Sequence, residues 1–519
     1  MNDVILTGFM GTGKSTIGKL LAARLDTEFI DTDAEIERRA GRSVSWLFAE
    51  RGEAAFRRLE REVLSGLGNE GGRIIAVGGG ALLEEANRQL VRGATIVCLV
   101  AEPTVLMDRI SASEERPLLR GEHDVYELLE RREPVYGRYP QVDTTGAAPD
   151  EVADRVAQVA GLPVSTISMP GKTPSTILLE TGLLDRAGHV LRDHGVEGRV
   201  LVVTDETLDT LGWKSVVMDS LRGAGFDASV SVLPPGEDQK TLSTLEDLIE
   251  DCLDAGIERS DSIVGLGGGV VGDIAGLLAA TYMRGIRLVL LPTTLLAQVD
   301  ASIGGKTAVD VGSVKNVAGA FHPAEIVGID PLALPTLPPP LVSDGVAEIV
   351  KIGMMRSVHL ISSLDALGHA GDLVERPDVI WMAARLKADV VRADPTEQGI
   401  RALLNFGHTV GHGLEAAAGY RQSHGRCVAA GMAAETASTD GIAAAVSARL
   451  TSLLDCFSLP ASLPGIDPTS ALSAALRDKK RRNGKVRVAI PLDVGRGSVV
   501  AWDEARLRHA VSLATGMEA

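Results

Sequence analysis

Short apolar runs alternate with longer amphipathic stretches from the first residues onward. Val4–Thr7 reads as a strand entering a glycine-rich turn, and Lys14 to about Leu25 then carries a helical pattern. Apolar runs at Ile74–Val77 and Thr95–Val100 are separated by charged helical segments such as Glu53–Leu67. This alternation predicts a parallel sheet covered by helices. Around Val159–Ser175 the pattern breaks, and Gly161, Pro163, Pro170, Gly171 and Pro174 mark a linker. A second α/β series follows, with Val200–Thr204, Ala228–Leu233, Ser262–Leu266 and Leu288–Leu291 as strands. Beyond Pro335–Pro340 the chain turns to Ala-rich amphipathic helices, among them Val379–Arg392 and Cys427–Ala445. The expected division is 1–162 and 163–519, the larger part split into an α/β half (about 163–335) and a helical half (about 336–519).

Length and composition sharpen this picture. At 519 residues, three or four structural domains are expected. With 45% hydrophobic and 23% charged residues the chain has an ordinary globular composition. A net charge of −17 with no long Lys/Arg stripe argues against a general nucleic-acid surface, so anionic ligands must meet cations gathered locally. The four cysteines are scattered without a CxxC pair, which fits a reducing cytosol. No signal peptide is read at the N-terminus, and apolar runs such as Ile286–Leu296 are too short to span a bilayer. A cytoplasmic protein without membrane partners is expected.

Chemistry first appears at Gly8-Phe9-Met10-Gly11-Thr12-Gly13-Lys14-Ser15-Thr16, a P-loop between strand and helix. Its glycines let backbone N–H groups curl around phosphates, Lys14 reaches the β/γ-phosphates, and the Ser15 hydroxyl sits on Mg²⁺. Asp31 and Asp33 end the second strand, where Asp31 can hold the metal and Asp33 can face an acceptor hydroxyl; either can equally be a helix N-cap. One of Arg57 and Arg58 can clamp a carboxylate. Gly78-Gly79-Gly80 admits only backbone near a ligand, and Arg116 lies in a polar stretch suited to a lid.

Together these residues resemble shikimate kinase over essentially all of residues 1–160. The resemblance implies a nucleoside-monophosphate-kinase-like fold and ATP with Mg²⁺ as cofactor. It implies shikimate contacts from Asp33, Arg57, Gly78, Gly79, Gly80 and Arg132, with Asp33 as base. Arg116 would neutralise charge on the transferring phosphoryl group, and Arg109 would lie near the adenine. Gluconate kinases share the scaffold, but the Asp-Thr-Asp, Phe-Arg-Arg and Gly-Gly-Gly set favours shikimate.

Further on, Gly267, Gly269 and Gly272 satisfy GxGxxG between a strand and an apolar helix. The acid expected about twenty residues later is missing, so an ordinary dinucleotide fold fails and an earlier residue such as Asp205 must serve the ribose. His408 and His412 are four apart and share a helix face, where both can ligate zinc; His424 and Glu348 are further candidates. Lys306, Lys315 and Asn316, with Lys387, Arg401 and Asn405, suggest a phosphate or carboxylate substrate.

This second set resembles 3-dehydroquinate synthase over about residues 164–519. The resemblance implies zinc or cobalt held by Glu348, His408 and His424, which overrides the His408–His412 pairing. It implies NAD contacts from Asp205, Glu237, Lys240, Gly268, Gly269, Val270 and Asp273, and from Thr293, Thr294, Lys315 and Thr336. Thr207 stands where some members have Asn, a departure at that NAD contact. Substrate would meet Arg284, Asp300, Lys306, Asn316 and Lys387, and also Arg401, Asn405 and His412, with Lys306, His412 and Glu397 catalytic. One of Lys479 and Lys480 would also contact phosphate. The implied reaction converts 3-deoxy-arabino-heptulosonate 7-phosphate to 3-dehydroquinate with loss of phosphate, NAD being regenerated at each turnover. A homodimer through the synthase part is also implied. Polyol or iron-type alcohol dehydrogenases are the rival, since they join an NAD site to a histidine metal site. They need no such phosphate-binding set.

Overall fold

The computed structural model describes residues 3–24, 27–67, 71–111, 122–147, 149–160, 166–169, 174–312, 314–478 and 485–517. They fall into two compact units, Met1–Val164 and Ser165–Ala519.

In the first unit β1 (Val4–Gly8) passes through the glycine turn into α1 (Lys14–Arg24). There follow β2 (Phe29–Asp31), α2 (Thr32–Ala40), α3 (Val44–Gly66), β3 (Ile74–Ala76), α4 (Glu85–Leu90) and β4 (Thr95–Val100). The unit closes with α5 (Pro103–Ser111), α6 (Glu122–Tyr136), β5 (Gln141–Asp143) and α7 (Pro149–Val159). The five strands are all parallel in the order β2-β3-β1-β4-β5. β1 is buried on both faces: Val4 and Leu6 pack with Ile17, Leu21 and Val156, while Ile5 packs with Leu64 and Ile75 on the other side. Parallel pairing delivers Gly8, Asp31 and the residues after Ala76 to one edge of the sheet. The helix expected over Glu53–Leu67 begins earlier, at Val44, and is interrupted by Gly52 at φ 76° and ψ 166°.

The second unit opens with β6 (Thr166–Met169), β7 (Ser175–Leu179), α8 (Ala187–Asp193), β8 (Arg199–Asp205), α9 (Glu206–Thr210) and α10 (Trp213–Gly223). Next come β9 (Asp227–Leu233), α11 (Leu242–Asp254), β10 (Ser262–Gly267), α12 (Gly269–Thr281) and β11 (Arg287–Pro292). A hairpin of β12 (Lys306–Val311) and β13 (Val314–Phe321) precedes β14 (Ile326–Ile329). The sheet order is β6-β7-β14-β11-β10-β8-β9, parallel except for the edge strand β6. Helices α13 (Pro339–Arg356), α14 (Val358–Asp365), α15 (Pro377–Ala393), α16 (His408–Ala417), α17 (His424–Ala437), α18 (Ala444–Cys456) and α19 (Pro468–Asp478) then dominate. A second hairpin, β15 (Val486–Asp493) with β16 (Arg496–Trp502), and α20 (Glu504–Ala514) complete the unit.

Two further expectations change. Part of the stretch read as linker is strand β6, because Ile167 and Met169 alternate into the core and pair with β7. Cys427–Ala445 is not one helix: α17 ends at Ala437, Gly441 takes φ 81°, and α18 starts afresh at Ala444. Within the second unit one core runs continuously from Ile263 and Leu288 in the sheet to Val379 and Leu450 in the helices. Among the described residues no helix is long and apolar enough to cross a membrane.

Candidate active sites

The first site is built around the turn after β1. Gly8, Gly11 and Gly13 have φ of 136°, 82° and 89°, conformations that side-chain-bearing residues avoid. A Cβ on Gly8 would lie 2.2 Å from the Leu99 carbonyl oxygen, so glycine is obligatory there. Lys14 Nζ lies 2.9 and 3.0 Å from the carbonyl oxygens of Gly8 and Phe9, and Thr12 Oγ1 donates to Phe9. Ser15 Oγ donates to Asp31 Oδ2 at 2.6 Å, while Oδ1 of the same carboxylate caps α2 by accepting from Asp33 N at 3.1 Å. Asp31 is therefore an N-cap through one oxygen and keeps the other beside Ser15, in a position to share a divalent ion.

The glycine triplet after β3 is where the acceptor groups meet. A Cβ on Gly78 would come within 2.9 Å of Asp33 Oδ1 and 3.0 Å of Glu60 Oε1. One on Gly79 would lie 2.9 Å from Arg132 Nη1, and one on Gly80 2.5 Å from Arg57 Nη2. Absence of side chains is what lets Asp33, Arg57 and Arg132 crowd onto one spot. All of them line a cleft of about 1720 Å³ together with Lys14, Ser15, Thr16 and Arg109. Arg109 is held by Gly11 O (3.3 Å) and Thr144 O (2.9 Å). Arg58 points outward and Arg57 lines the cleft. Arg116 lies outside the described residues.

Sequence reading passed over Glu60, one turn after Arg57 on α3. Its side chain is fully buried, lines the cleft and pairs with Arg57 at 2.8 Å. Burial pushes its carboxyl above the ordinary range, against the pull of Arg57. Its i, i+3 spacing from Arg57 was the available signal.

In the second unit the strand ends of one sheet edge gather the residues expected to meet a dinucleotide. β10 ends at Gly267, and Gly268 starts α12 with no side-chain cap, which leaves first-turn N–H groups at Gly269 and Val270 for a ligand. Thr293 N donates to Gly267 O at 3.0 Å, and Thr294 lies where a Gly268 Cβ would touch its methyl at 3.1 Å. Asp205 closes β8 and caps α9 through Leu208 N at 3.0 Å, with Thr207 in that first turn. Thr336 accepts from Trp213 Nε1 and donates to Ala333 O. Lys240 joins this edge to the hairpin, since its ammonium bonds both Asp273 and Asn316 Oδ1. Lys315 pairs with Glu237 at 3.1 Å.

Helices α13, α16 and α17 bring Glu348, His408 and His424 together, with their ligand atoms within 4.8 Å of one another. Close helix approach makes this possible: a Cβ on Gly431 would lie 2.0 Å from Gly407 O, and one on Gly425 2.3 Å from Asp344 Cα. Nε2 of His408 and Nε2 of His424 lie 3.7 and 3.4 Å from Glu348 Oε1, which accepts no hydrogen bond from the described residues. His408 Nδ1 faces the Phe406 carbonyl at 3.2 Å, so its lone pair is at Nε2. Burial, reinforced by Lys351, holds the His408 imidazole well below its usual pKa and keeps it neutral. Burial would lower His424 as well, but the neighbouring Glu348 and Glu415 carboxylates raise it to about 10. One anion and two imidazoles on a buried point fit a divalent transition metal with an open side. His412 stands one turn beyond His408, with ring centroids 5.1 Å apart. His412, Glu415 and His424 form a second, overlapping group of potential ligands.

Around this point the cations are paired with acids. Asp300 receives Lys387 through both its side chain and its carbonyl, and Lys351 Nζ is 3.7 Å away. Lys351 also contacts Glu348. Lys306 contacts Glu397, whose other oxygen accepts from Asn405 Nδ2 at 2.7 Å. Arg401 donates to Pro395 O at 2.7 Å and Gly304 O at 3.3 Å. Asp394 shapes that loop by accepting from the N–H groups of Gln398, Gly399 and Arg401. Lys351, almost fully buried between Asp300 and Glu348, escaped the sequence reading; its i, i+3 offset from Glu348 was the signal. Arg284 is not brought in. It sits exposed beyond the C-terminal end of α12, about 20 Å of helix from Gly268. Lys479 and Lys480 lie outside the described residues.

Comparison with known proteins gives three family matches: shikimate kinase over residues 10–160, 3-dehydroquinate synthase N-terminal over 230–344 and 3-dehydroquinate synthase C-terminal over 345–481. A 3-dehydroquinate synthase of Symbiobacterium thermophilum is 44% identical over 334 residues, covering 63% of this chain and 93% of that one. The 2-epi-5-epi-valiolone synthase of Streptomyces hygroscopicus, solved with NAD⁺ and Zn²⁺ bound, superposes with a TM-score of 0.60 at 27% identity, covering 65% of this chain and 96% of that one. A 2-deoxy-scyllo-inosose synthase shares the fold at 22% identity and a TM-score of 0.61. The bifunctional shikimate kinase/3-dehydroquinate synthase of Thermotoga maritima is 34% identical over 514 residues, 98% of this chain and 99% of that one. The chain belongs to the family of bifunctional enzymes that join a shikimate kinase to a 3-dehydroquinate synthase.

Proposed function

We propose that both units are working catalysts: residues 1–162 phosphorylate shikimate, and residues 163–519 cyclise 3-deoxy-arabino-heptulosonate 7-phosphate to 3-dehydroquinate. The observation that carries this reading is that each site has an anion-binding surface meeting a polar pocket of the matching chemistry. In the first, Lys14 and the P-loop adjoin Asp33, Arg57 and Arg132 in one cleft. In the second, Glu348 of the Glu348–His408–His424 group contacts Lys351, Asp300 links Lys351 to Lys387, and Lys306 contacts Glu397.

In the kinase, the P-loop N–H groups and Lys14 would hold the nucleotide phosphates, and Ser15 and Asp31 would hold Mg²⁺, which would supply charge neutralisation. Arg57 and Arg132 fix the acceptor carboxylate, and Glu60 orients Arg57. Asp33 takes the hydroxyl proton, and Arg116 stabilises the transferring phosphoryl group.

In the synthase, NAD⁺ supplies reversible hydride chemistry and the metal supplies Lewis acidity. Glu348, His408 and His424 hold that metal, and His412 and Glu397 move protons at the substrate. Lys387, Arg401 and Asn405 orient its hydroxyl and carboxylate groups, while Lys306 and Asn316 hold the phosphate. Arg284, beyond the far end of α12 in its own chain, would join such a site only from a second copy. An apolar surface beside it supports a homodimer: Phe321 and Val317 are each 58% exposed and Met283 is 41% exposed. We place the enzyme in the cytoplasm, consistent with four unpaired cysteines.

The test supplies the heptulosonate phosphate, a divalent metal and NAD⁺ far below the substrate concentration. Phosphate release without net NADH supports the reading, and stoichiometric NADH would favour a dehydrogenase. ATP with shikimate tests the other unit in the same preparation. Phe321→Glu should leave a monomer without synthase turnover; a fully active monomer would remove the dimer from the proposal.

A further inference from the structure

We propose that Glu415 is the positioning carboxylate of the metal centre. It fixes His424 in the tautomer that aims Nε2 at the metal and ties that histidine to Lys315. The inference rests on reading Glu348, His408 and His424 as ligands.

Glu415 lies on α16, seven residues after His408 and three after His412, so all three share one stripe of the helix. The side chain is almost buried. Its Oε2 is 3.4 Å from His424 Nδ1, while His424 Nε2 is 3.4 Å from Glu348 Oε1. A neutral imidazole has one donor and one acceptor nitrogen. A carboxylate at Nδ1 takes the N–H there and leaves the lone pair at Nε2, facing Glu348. His408 is set in the same way, but by the neutral Phe406 carbonyl. The two histidines thus carry unequal supports, one of them anionic, and the anionic one makes His424 the more basic ligand.

Glu415 can also be read as a ligand itself, in the overlapping group with His412 and His424. Its surroundings oppose that. Oε1 is 3.3 Å from Lys315 Nζ, an ammonium that also sits 3.1 Å from Glu237 and over the Tyr420 ring. A second cation beside it would be repelled. An ion on that side would also draw the His424 lone pair to Nδ1 and away from Glu348. The pairing with Lys315 instead extends the metal centre through Glu415 to Glu237 and the dinucleotide edge of the sheet.

The test titrates Zn²⁺ into the metal-stripped full-length protein against a chromogenic chelator, with no turnover required. Glu415→Ala should weaken Zn²⁺ binding by about 10- to 100-fold. Glu415→Gln keeps an acceptor oxygen and should recover most of the loss, which a merely structural role would not predict. Lys315→Ala should leave Zn²⁺ affinity unchanged. If Glu415→Ala proves unfolded by circular dichroism, Glu415→Leu preserves volume without an acceptor and must show the same loss. Glu348→Ala serves as reference. Should it lose zinc while folded Glu415→Ala or Leu binds as wild type, this inference falls alone. Should Glu348→Ala bind as wild type, the ligand assignment falls with it.

Discussion

In the first unit the proposed phosphate cradle is backbone: three glycines at positive φ, the first turn of α1, and a lysine resting on carbonyl oxygens. In the second the proposed site is lined by side chains, and each of its lysines already contacts a protein acid. Lys306 is on Glu397, Lys315 on Glu237 and Glu415, Lys351 on Glu348, and Lys387 on Asp300. Taking an ion out of water costs several kcal/mol, and such pairs recover it only through good geometry and further hydrogen bonds. A backbone cradle incurs no such cost and depends on glycine alone. The ion-pair site is coupled instead: Asp300 serves two lysines, and one of those also serves Glu348. Changes should therefore stay local in the first site and spread in the second.

The largest expected effect tests that spread. Glu348→Ala and His424→Ala should each lose bound metal, as measured by elemental analysis, and with it all synthase turnover. His412→Ala should keep the metal and lose turnover. Metal-depleted His412→Ala beside metal-replete His424→Ala would restore the helix-face pairing. In the kinase the effects should stay confined. Asp33→Asn is expected to cut turnover about 10²- to 10⁴-fold while ATP affinity by calorimetry is unchanged. Lys14→Ala should cost about 10²- to 10³-fold in shikimate phosphorylation and leave phosphate release by the synthase intact. A parallel loss in both activities would break the contrast between the units.

The same contrast explains what could be read from the chain. The P-loop, Asp31 and the glycine triplet are contiguous signatures whose meaning is local, and the geometry around them follows from strand–turn–helix order. Glu348, His408 and His424 span 77 positions and meet only because glycines let α13, α16 and α17 approach closely. Local spacing by itself pointed to His412, and family resemblance supplied the alternative. Lys351, Glu60 and Glu415 were missed because a charged residue on a helix reads as solvated surface until its partner across the core is known. The break after α17 was missed because Thr439-Asp440-Gly441 sits within an Ala-rich run whose composition favours helix on either side.

The smallest effect is a matter of pH. Lys387 is almost buried, and burial lowers its ammonium to about 8 even though Asp300 pulls the other way. If the charged form holds substrate, synthase kcat/KM should fall about tenfold per pH unit above pH 8, because only the ammonium donates to and attracts an anion. Stability should move in the opposite sense. A lysine whose folded pKa lies below its ordinary 10.5 favours its neutral form in the fold. The cost of holding the charge is complete below pH 8 and is relieved as pH rises from about 8 to 10.5. Linkage puts that relief at about 3 kcal/mol. Activity and resistance to urea should thus diverge over this window in the second unit. Lys387→Arg, whose guanidinium stays charged throughout, should give a synthase profile without that alkaline fall, whatever its absolute rate. An alkaline limb that survives in Lys387→Arg would assign the titration to another group.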